Sequence, residues 1–158
     1  MRFHAFAAVL TSASLALASY SSPASEQSVV ISQSDGPAHS IDPATVEQLP
    51  AIQEHILFLT GRGPEQENFT GALLWSVLER ARALGGDRGT RIRRAIMVTG
   101  RDGYAAVLAL VEIDPDFEGK QVLLAYRRNG KPMPLCLVVP GDRYGGRSVR
   151  DVVRIDLH

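Results

Sequence analysis

The chain has 158 residues, 45% of them hydrophobic and 22% charged, which is typical of one globular domain with a sizeable core. Its 17 basic and 17 acidic residues give a formal net charge of zero, so overall charge points to neither a nucleic-acid partner nor an acidic membrane surface. The single cysteine, Cys136, excludes an internal disulfide, and its apolar neighbours predict a small buried core residue.

The chain begins with a predicted leader. Residues 1–24 carry a positive start, a short apolar run and then small residues, the pattern of a secretory signal peptide. The run falls short of the ~20 residues that a spanning helix needs, which disfavours the alternative of an uncleaved anchor. We therefore expect a periplasmic or secreted protein that has no membrane attachment after cleavage.

Residues 25–40 are rich in Ser, Pro and Gln and predict a flexible N-terminal arm, within which residues 29–31 can form a short strand. The main domain is expected to span residues 41–158. It opens with a brief helix, because Asp42 suits the cap and Pro43 the first helical position.

The next elements are a strand and a helix. Residues 52–60 are β-branched, aromatic and apolar on both faces, which predicts a strand buried inside a sheet and followed by a polar loop. Residues 72–84 carry apolar side chains at helical spacing and end at two glycines, which predicts the one long helix.

The rest of the chain predicts strands. Asp102-Gly103 and Asn129-Gly130 each separate two apolar runs, the sequence signal of a hairpin, and residues 152–157 alternate like a final strand. Between the hairpins, residues 110–117 allow only a helical turn. The predicted fold class is α+β, with mixed, mostly antiparallel strands and one long helix.

The sequence lacks the motifs of several kinds of metal binding and catalysis. The four histidines have no metal-ligand spacing, and the chain carries neither an esterase elbow nor a P-loop. Asp114, Asp116 and Glu118 cluster beside a proline and are predicted to form a solvated turn rather than an acid pair. No catalytic residue can be named.

Three loops combine small and polar residues at strand ends: residues 60–63, 100–104 and 141–150. Loops held by a rigid sheet are where binding groups usually lie. If these loops converge, they ring one anion-binding cleft with Arg62, Arg101, Asp142, Arg147 and Arg150. The alternative for the last loop is a solvated turn before the final strand.

The order of these motifs resembles a known family. Residues 69–78 (FTGALLWSVL), 98–104 (VTGRDGY), 114–117 (DPDF), 128–132 (RNGKP) and 137–150 (LVVPGDRYGGRSVR) are similar to the oxidoreductase molybdopterin-binding domain, which has the sulfite oxidase fold. The resemblance covers residues 45–157. It implies a mixed α+β cofactor domain, here in a small exported form.

The resemblance also implies site residues. Arg147, Ser148 and Arg150 match the segment that lies against the pterin phosphate, and the amides near Gly145 and Gly146 would complete it. Arg101 and Asp102 would line the rim of the same site. The enzymes of the family ligate molybdenum with a cysteine thiolate, and the corresponding stretch here holds Thr60 instead.

Two functions are left open. The first is an exported domain that binds a molybdopterin-type cofactor, or another small anion, as part of an oxidoreductase. The second is a cofactor-free periplasmic binding or interaction module, with a protein partner, that kept the fold without redox catalysis. The missing cysteine favours the second function as far as catalysis is concerned.

Overall fold

The computed structural model of the protein describes residues 28–34 and 36–158, so the predicted leader and the first residues of the arm lie outside the described residues. The described strands are β1 (Val29–Gln33), β2 (His39–Ile41), β3 (Ala51–Thr60), β4 (Gly63–Leu73), β5 (Ala95–Gly100), β6 (Ala105–Ala109), β7 (Leu123–Arg128), β8 (Lys131–Val138) and β9 (Val152–Leu157). The helices are α1 (Pro43–Glu47), α2 (Leu74–Arg80), α3 (Arg88–Arg91) and α4 (Leu110–Ile113), with a 3₁₀ helix at Gly145–Arg147.

The strands form two sheets. The first sheet has five strands in the order β2-β1-β9-β5-β6, and the second has four in the order β3-β4-β7-β8. Neighbouring strands run antiparallel except for the parallel pair β1 and β9. This arrangement confirms the predicted α+β class, and both hairpins and the final strand are present.

The N-terminal arm was predicted only in part: the short strand expected at residues 29–31 is present, but the described part of the arm is not a loose segment. Residues 29–33 and 39–41 form β1 and β2, and β1 lies between β2 and β9 inside the first sheet. Val29 and Ile31 are fully buried, and burial of their apolar surface anchors the segment. The Ser and Pro content of the segment had suggested a loose arm. The folded domain therefore begins before residue 41.

The second sheet brings another correction. β3 pairs only with β4, so it is an edge strand rather than a strand inside the sheet, and the predicted polar loop after it is the strand β4. The two strands form a long hairpin that turns at Gly61 and Arg62, with Gly63 at φ 118°. The outer half of β4 extends past the core, which explains why its sequence is polar on both faces.

The predicted long helix is present as α2, but it is shorter at both ends. β4 continues to Leu73 because Gly71 packs against β7, where a Cβ would lie 2.5 Å from the Ala125 Cα. Leu74, Val77 and Leu78 form the buried face of α2, which confirms the helical spacing. The helix ends where Arg82 takes a φ of 55°.

The hydrophobic residues form two clusters. The main core lies between the sheets and includes Ile96, Leu124 and Ile155. A second cluster includes Leu123, Ala125 and other residues, and because successive residues of a strand face opposite ways, it lies on the far face of the second sheet. The second sheet is therefore apolar on both faces.

The acidic turn after α4 is not uniformly solvated, which corrects the sequence prediction. Asp114 is fully buried and pairs with Arg91, whose Nη1 lies 2.8 Å from its Oδ2. Arg91 comes from the unpredicted helix α3 and also stacks on Trp75, 6.0 Å from the ring centroid. Asp116 remains at the surface and also pairs with Arg91.

Across the described residues, no helix combines the length and apolar character needed to cross a membrane.

Candidate functional site

The loop between β8 and β9, residues 139–151, is bound to both sheets and is called the β8–β9 loop below. The amide of Leu59 on β3 donates to the Arg143 carbonyl at 2.9 Å, and the amide of Leu137 on β8 donates to the Val149 carbonyl at 2.8 Å. These two bonds hold the loop against both edge strands of the second sheet.

The turn between β5 and β6 holds the other side of this loop. The Arg101 side chain pairs with Asp151 at 2.6 Å, and its amide donates to the Asp151 carbonyl at 2.9 Å. The hydroxyl of Tyr104 donates to the Gly146 carbonyl. Two of the three predicted loops, residues 100–104 and 141–150, are thus in direct contact.

Arg147 is fixed inside the β8–β9 loop. Its guanidinium forms a two-pronged pair with Asp142, at 2.9 and 2.6 Å, and a third bond with Glu112 on α4 at 3.0 Å. The bonds to Asp142, and then those to Glu112, raise the pKa of Arg147. Because two carboxylates already accept hydrogen bonds from this guanidinium, Arg147 stabilises the structure of the loop.

A cavity of about 700 Å³ lies between the second sheet and the β8–β9 loop. Its apolar wall comes from the second hydrophobic cluster of the sheet, and its polar wall comes from the loop. The apolar lining includes Ile56, Phe58, Phe69, Met133, Cys136 and Val138, and the polar lining includes Asp142, Gly145, Ser148, Arg150 and Asp151. A volume of this size suits a small organic ligand.

The cavity lining has as many cations as carboxylates, but two of the cations have no ion-pair partner among the described residues. Each of its three carboxylates pairs with an arginine: Glu67 with Arg128 at 3.6 Å, Asp142 with Arg147, and Asp151 with Arg101. Two further cations of the lining, Lys131 and Arg150, form no ion pair with any carboxylate of the described residues. The cavity therefore favours an anionic ligand.

Cys136 lies on the apolar wall of this cavity. It is only 8% exposed, which confirms its prediction as a buried residue. Burial raises the pKa of its thiol to about 11, although the charge of Arg150 acts in the opposite direction. The thiol is accordingly protonated at neutral pH, which makes it a poor nucleophile and a poor metal ligand.

Of the eight predicted cofactor-binding residues, the structure places Gly145, Ser148 and Arg150 on the cavity wall. Gly146 and Arg147 belong to the same loop but do not line the cavity. Arg101 acts on the loop through Asp151, and the carboxylate of Asp102 accepts the Tyr104 amide at 3.0 Å inside its own turn.

The hairpin between β3 and β4 does not bring its polar tip to the cavity. The Thr60 hydroxyl lies 3.0 Å from the Gly63 carbonyl and 2.9 Å from Glu65, so it organises the turn. Arg62, predicted to join the cleft, likewise stays at this tip and does not line the cavity.

Sequence reasoning missed the contribution of the second sheet. Lys131, Met133 and Asn129 line the cavity from the β7–β8 hairpin, which the sequence analysis identified as a hairpin and a family motif but assigned no role in the site. A usable signal was the alternation in β8, which places Cys136 on the face opposite Leu135 and Leu137. The described residues contain no cluster of three or more His, Cys, Asp or Glu that could hold a metal ion.

Comparison with known proteins gives a family and a fold. The sequence model of the family described as "Oxidoreductase molybdopterin binding domain" matches residues 59–158. The fold is similar to the crystal structure of the sulfane dehydrogenase SoxCD from Paracoccus pantotrophus, with a TM-score of 0.66 and 16% sequence identity over 84% of this chain. The match spans 39% of that SoxCD chain. No curated protein matches the sequence.

Proposed function

Because the chain belongs to the oxidoreductase molybdopterin binding domain family, we propose that its cavity binds a molybdopterin-type cofactor and that the protein is part of an oxidoreductase. Arg150 and Lys131 would face the anionic groups of the cofactor. Ser148 and the backbone at Gly145 would supply the remaining polar contacts. Such a group, when bound, supplies redox chemistry at its metal.

The observation that carries this proposal is a pair of cations without an ion-pair partner among the described residues, Arg150 and Lys131, in a cavity that has one apolar wall. Phe58 and Phe69 offer aromatic surface on the sheet side, and Arg150 and Lys131 offer charge at the cavity surface. A flat heteroaromatic body with an anionic arm matches that distribution. The residues therefore fit the organic part of the cofactor.

The fit to the metal is different. Cys136 is the only cysteine of the chain, and its raised pKa of about 11 leaves it a neutral thiol beside the cavity. Thr60, at the position where the family's enzymes carry their ligating cysteine, is engaged in its own turn. The chain thus offers its cavity no ready thiolate, and we derive no catalytic step at a metal.

These two observations favour a second candidate function. A cofactor-free binding module, exported to the periplasm, would use the same cavity for another organic anion and would need no thiolate. The fixed pairing of Arg147 with Asp142 and Glu112 also supports this candidate, since it removes the second arginine expected to meet a phosphate. Export itself rests on the leader pattern of residues 1–24.

A binding measurement separates the two candidates. The protein is purified from a molybdenum-competent bacterial host, and its metal content and the fluorescence of the oxidised pterin are measured against protein concentration. Stoichiometric pterin is the expected result, with or without molybdenum. Absence of pterin would leave the cofactor-free module as the function.

The arginines supply the matched control. Arg150→Ala should lower the pterin content by roughly tenfold, because a charge-assisted hydrogen bond contributes about 1.5–3 kcal/mol. Arg127→Ala removes an exposed arginine of β7 that does not line the cavity, and it should leave the pterin content unchanged. Equal losses in the two variants would contradict the assignment of Arg150.

A further inference from the structure

The four outer edges of the two sheets differ in how they are protected. β2 is only three residues long, and β8 carries Pro132 and Pro134, which cannot donate backbone hydrogen bonds. β6 lies beside the 3₁₀ helix, and its Ala109 amide donates to the Glu112 side chain at 3.0 Å. Each of these edges is too short, blocked or covered.

The fourth edge, β3, also contacts the 3₁₀ helix, and its Leu59 is bonded to the β8–β9 loop, but the rest of the strand has none of these protections. β3 has ten residues and contains no proline, no lysine and no bulge against β4. The Leu59 amide points away from β4 and is bonded to the β8–β9 loop. The amides of Gln53, His55 and Leu57 point the same way, because alternate residues of a strand share a direction, and they have no partner among the described residues.

The side chains along this edge are also open. Leu57 is 55% exposed, and Ile52 and Phe58 are only partly buried. Glu54 is the one charged residue of the strand. A long, flat edge with unpaired backbone groups and exposed apolar side chains is a template for another strand.

We propose that a second copy of this chain pairs with β3 in an antiparallel manner, about a two-fold axis at His55. In this register Gln53 and Leu57 of one copy face Leu57 and Gln53 of the other, so every free outward amide of these residues finds a partner. Leu59 stays bonded to its own loop and needs no place in the interface.

Neighbouring registers are less favourable. A shift that centres the axis on Glu54 places two carboxylates directly opposite each other, which destabilises a sheet. A shift that centres it on Ile56 sets Gln53 opposite Leu59, whose amide is already taken by Arg143. The His55 register pairs Glu54 with Ile56 instead. It pairs the three free amides of Gln53, His55 and Leu57 with no opposed like charges, and it leaves only Ala51 facing the occupied Leu59.

The pairing also reaches the cavity. Ile52, Ile56 and Phe58 share the face of β3 that lines or borders the cavity, and the proposed register places Ile52 of the second copy opposite Phe58. The second copy therefore extends the apolar wall beyond what one chain provides. The result is a continuous eight-stranded sheet with the two cavities on one face.

The test is the oligomeric state of the full chain by sedimentation equilibrium, over about 10–200 µM protein. We expect a dimer that dissociates on dilution. Leu57→Lys places a charge within the interface, opposite Gln53 of the other copy, and should raise the dimer dissociation constant by roughly tenfold or more. Leu57→Pro removes the amide itself and should have a larger effect.

The control is Val107→Lys on β6, where Val107 is 56% exposed and Leu57 is 55% exposed. It should leave the dissociation constant unchanged, and circular dichroism should show all the variants folded. Amide hydrogen exchange at Gln53, His55 and Leu57 should be slow in the dimer and fast in Leu57→Lys. A wild-type chain that is monomeric over the whole range, or an equal effect of Val107→Lys, would overturn the proposal.

Discussion

The two sides of the β8–β9 loop show how one arginine-rich motif divides between structure and binding. On the core side, Arg147 is held by Asp142 and Glu112, and its charge is neutralised. On the cavity side, Arg150 lies only three residues further along the chain and has no carboxylate partner among the described residues. Residues that look equivalent in a motif therefore differ in function according to which side of the loop they occupy.

The largest effect on stability is expected from removing Arg147, the arginine on the core side of the loop. Arg147→Ala should lower the free energy of unfolding by about 2 kcal/mol, because two partly buried carboxylates lose their partner. Urea denaturation measures the loss. Arg143→Ala changes an exposed arginine of the same loop and should cost under ~0.5 kcal/mol, so equal losses would mean that the pairing has no special role.

A smaller effect is expected from pH. Although partial desolvation acts in the opposite direction, the Ala109 amide and the Arg147 guanidinium hold the pKa of Glu112 below its usual value. A carboxyl whose pKa is lowered on folding stabilises the protein above its unfolded pKa, and that stabilisation is lost as the pH falls through the folded pKa.

The measurement compares urea denaturation at pH 7 and pH 3 for the wild type and for Glu112→Gln. The wild type should lose about 1 kcal/mol more than the variant, since other carboxylates titrate equally in both. Identical pH dependences would show that Glu112 does not contribute to the core side of the loop.

The smallest effect on stability belongs to the cavity side. Arg150→Ala should change the free energy of unfolding by less than ~0.5 kcal/mol, because the side chain is exposed and has no carboxylate partner among the described residues. The same variant is the one expected to lose ligand. A large destabilisation would place Arg150 with Arg147 and remove the distinction between the two sides.

Local signals predicted the fold well where they were strong. The Asp-Gly and Asn-Gly hairpins and the spacing of Leu74, Val77 and Leu78 each depend on neighbouring residues, so the sequence alone reveals them. The place of β1 inside the first sheet and the strand β4 could not be predicted in this way. β1 is ordered by its pairing with β9, more than a hundred residues away, and the polar outer half of β4 is held by backbone pairing with β3.

The site was harder to predict than the fold. Loop composition placed Arg150 in a predicted anion-binding cleft, and the family resemblance added Ser148; both residues line the cavity. Neither source gave a sign that Arg147 would meet Glu112, 35 residues earlier. The apolar wall was hidden because Phe58 and Phe69 look like ordinary core residues in sequence. Which face of a sheet stays open is decided by how the whole sheet curls and packs.

The bonds of the β8–β9 loop also bear on the order of folding. They come from β3, the β5–β6 turn, α4 and β8, elements spread from Leu59 to Leu137. Since closing such distant contacts is slow, the loop can settle only after both sheets have formed, later than the local hairpins. The protein therefore becomes able to bind ligand late in folding, and anion binding would report that the native state is complete. Refolding experiments that time ligand binding against Trp75 fluorescence would measure this order.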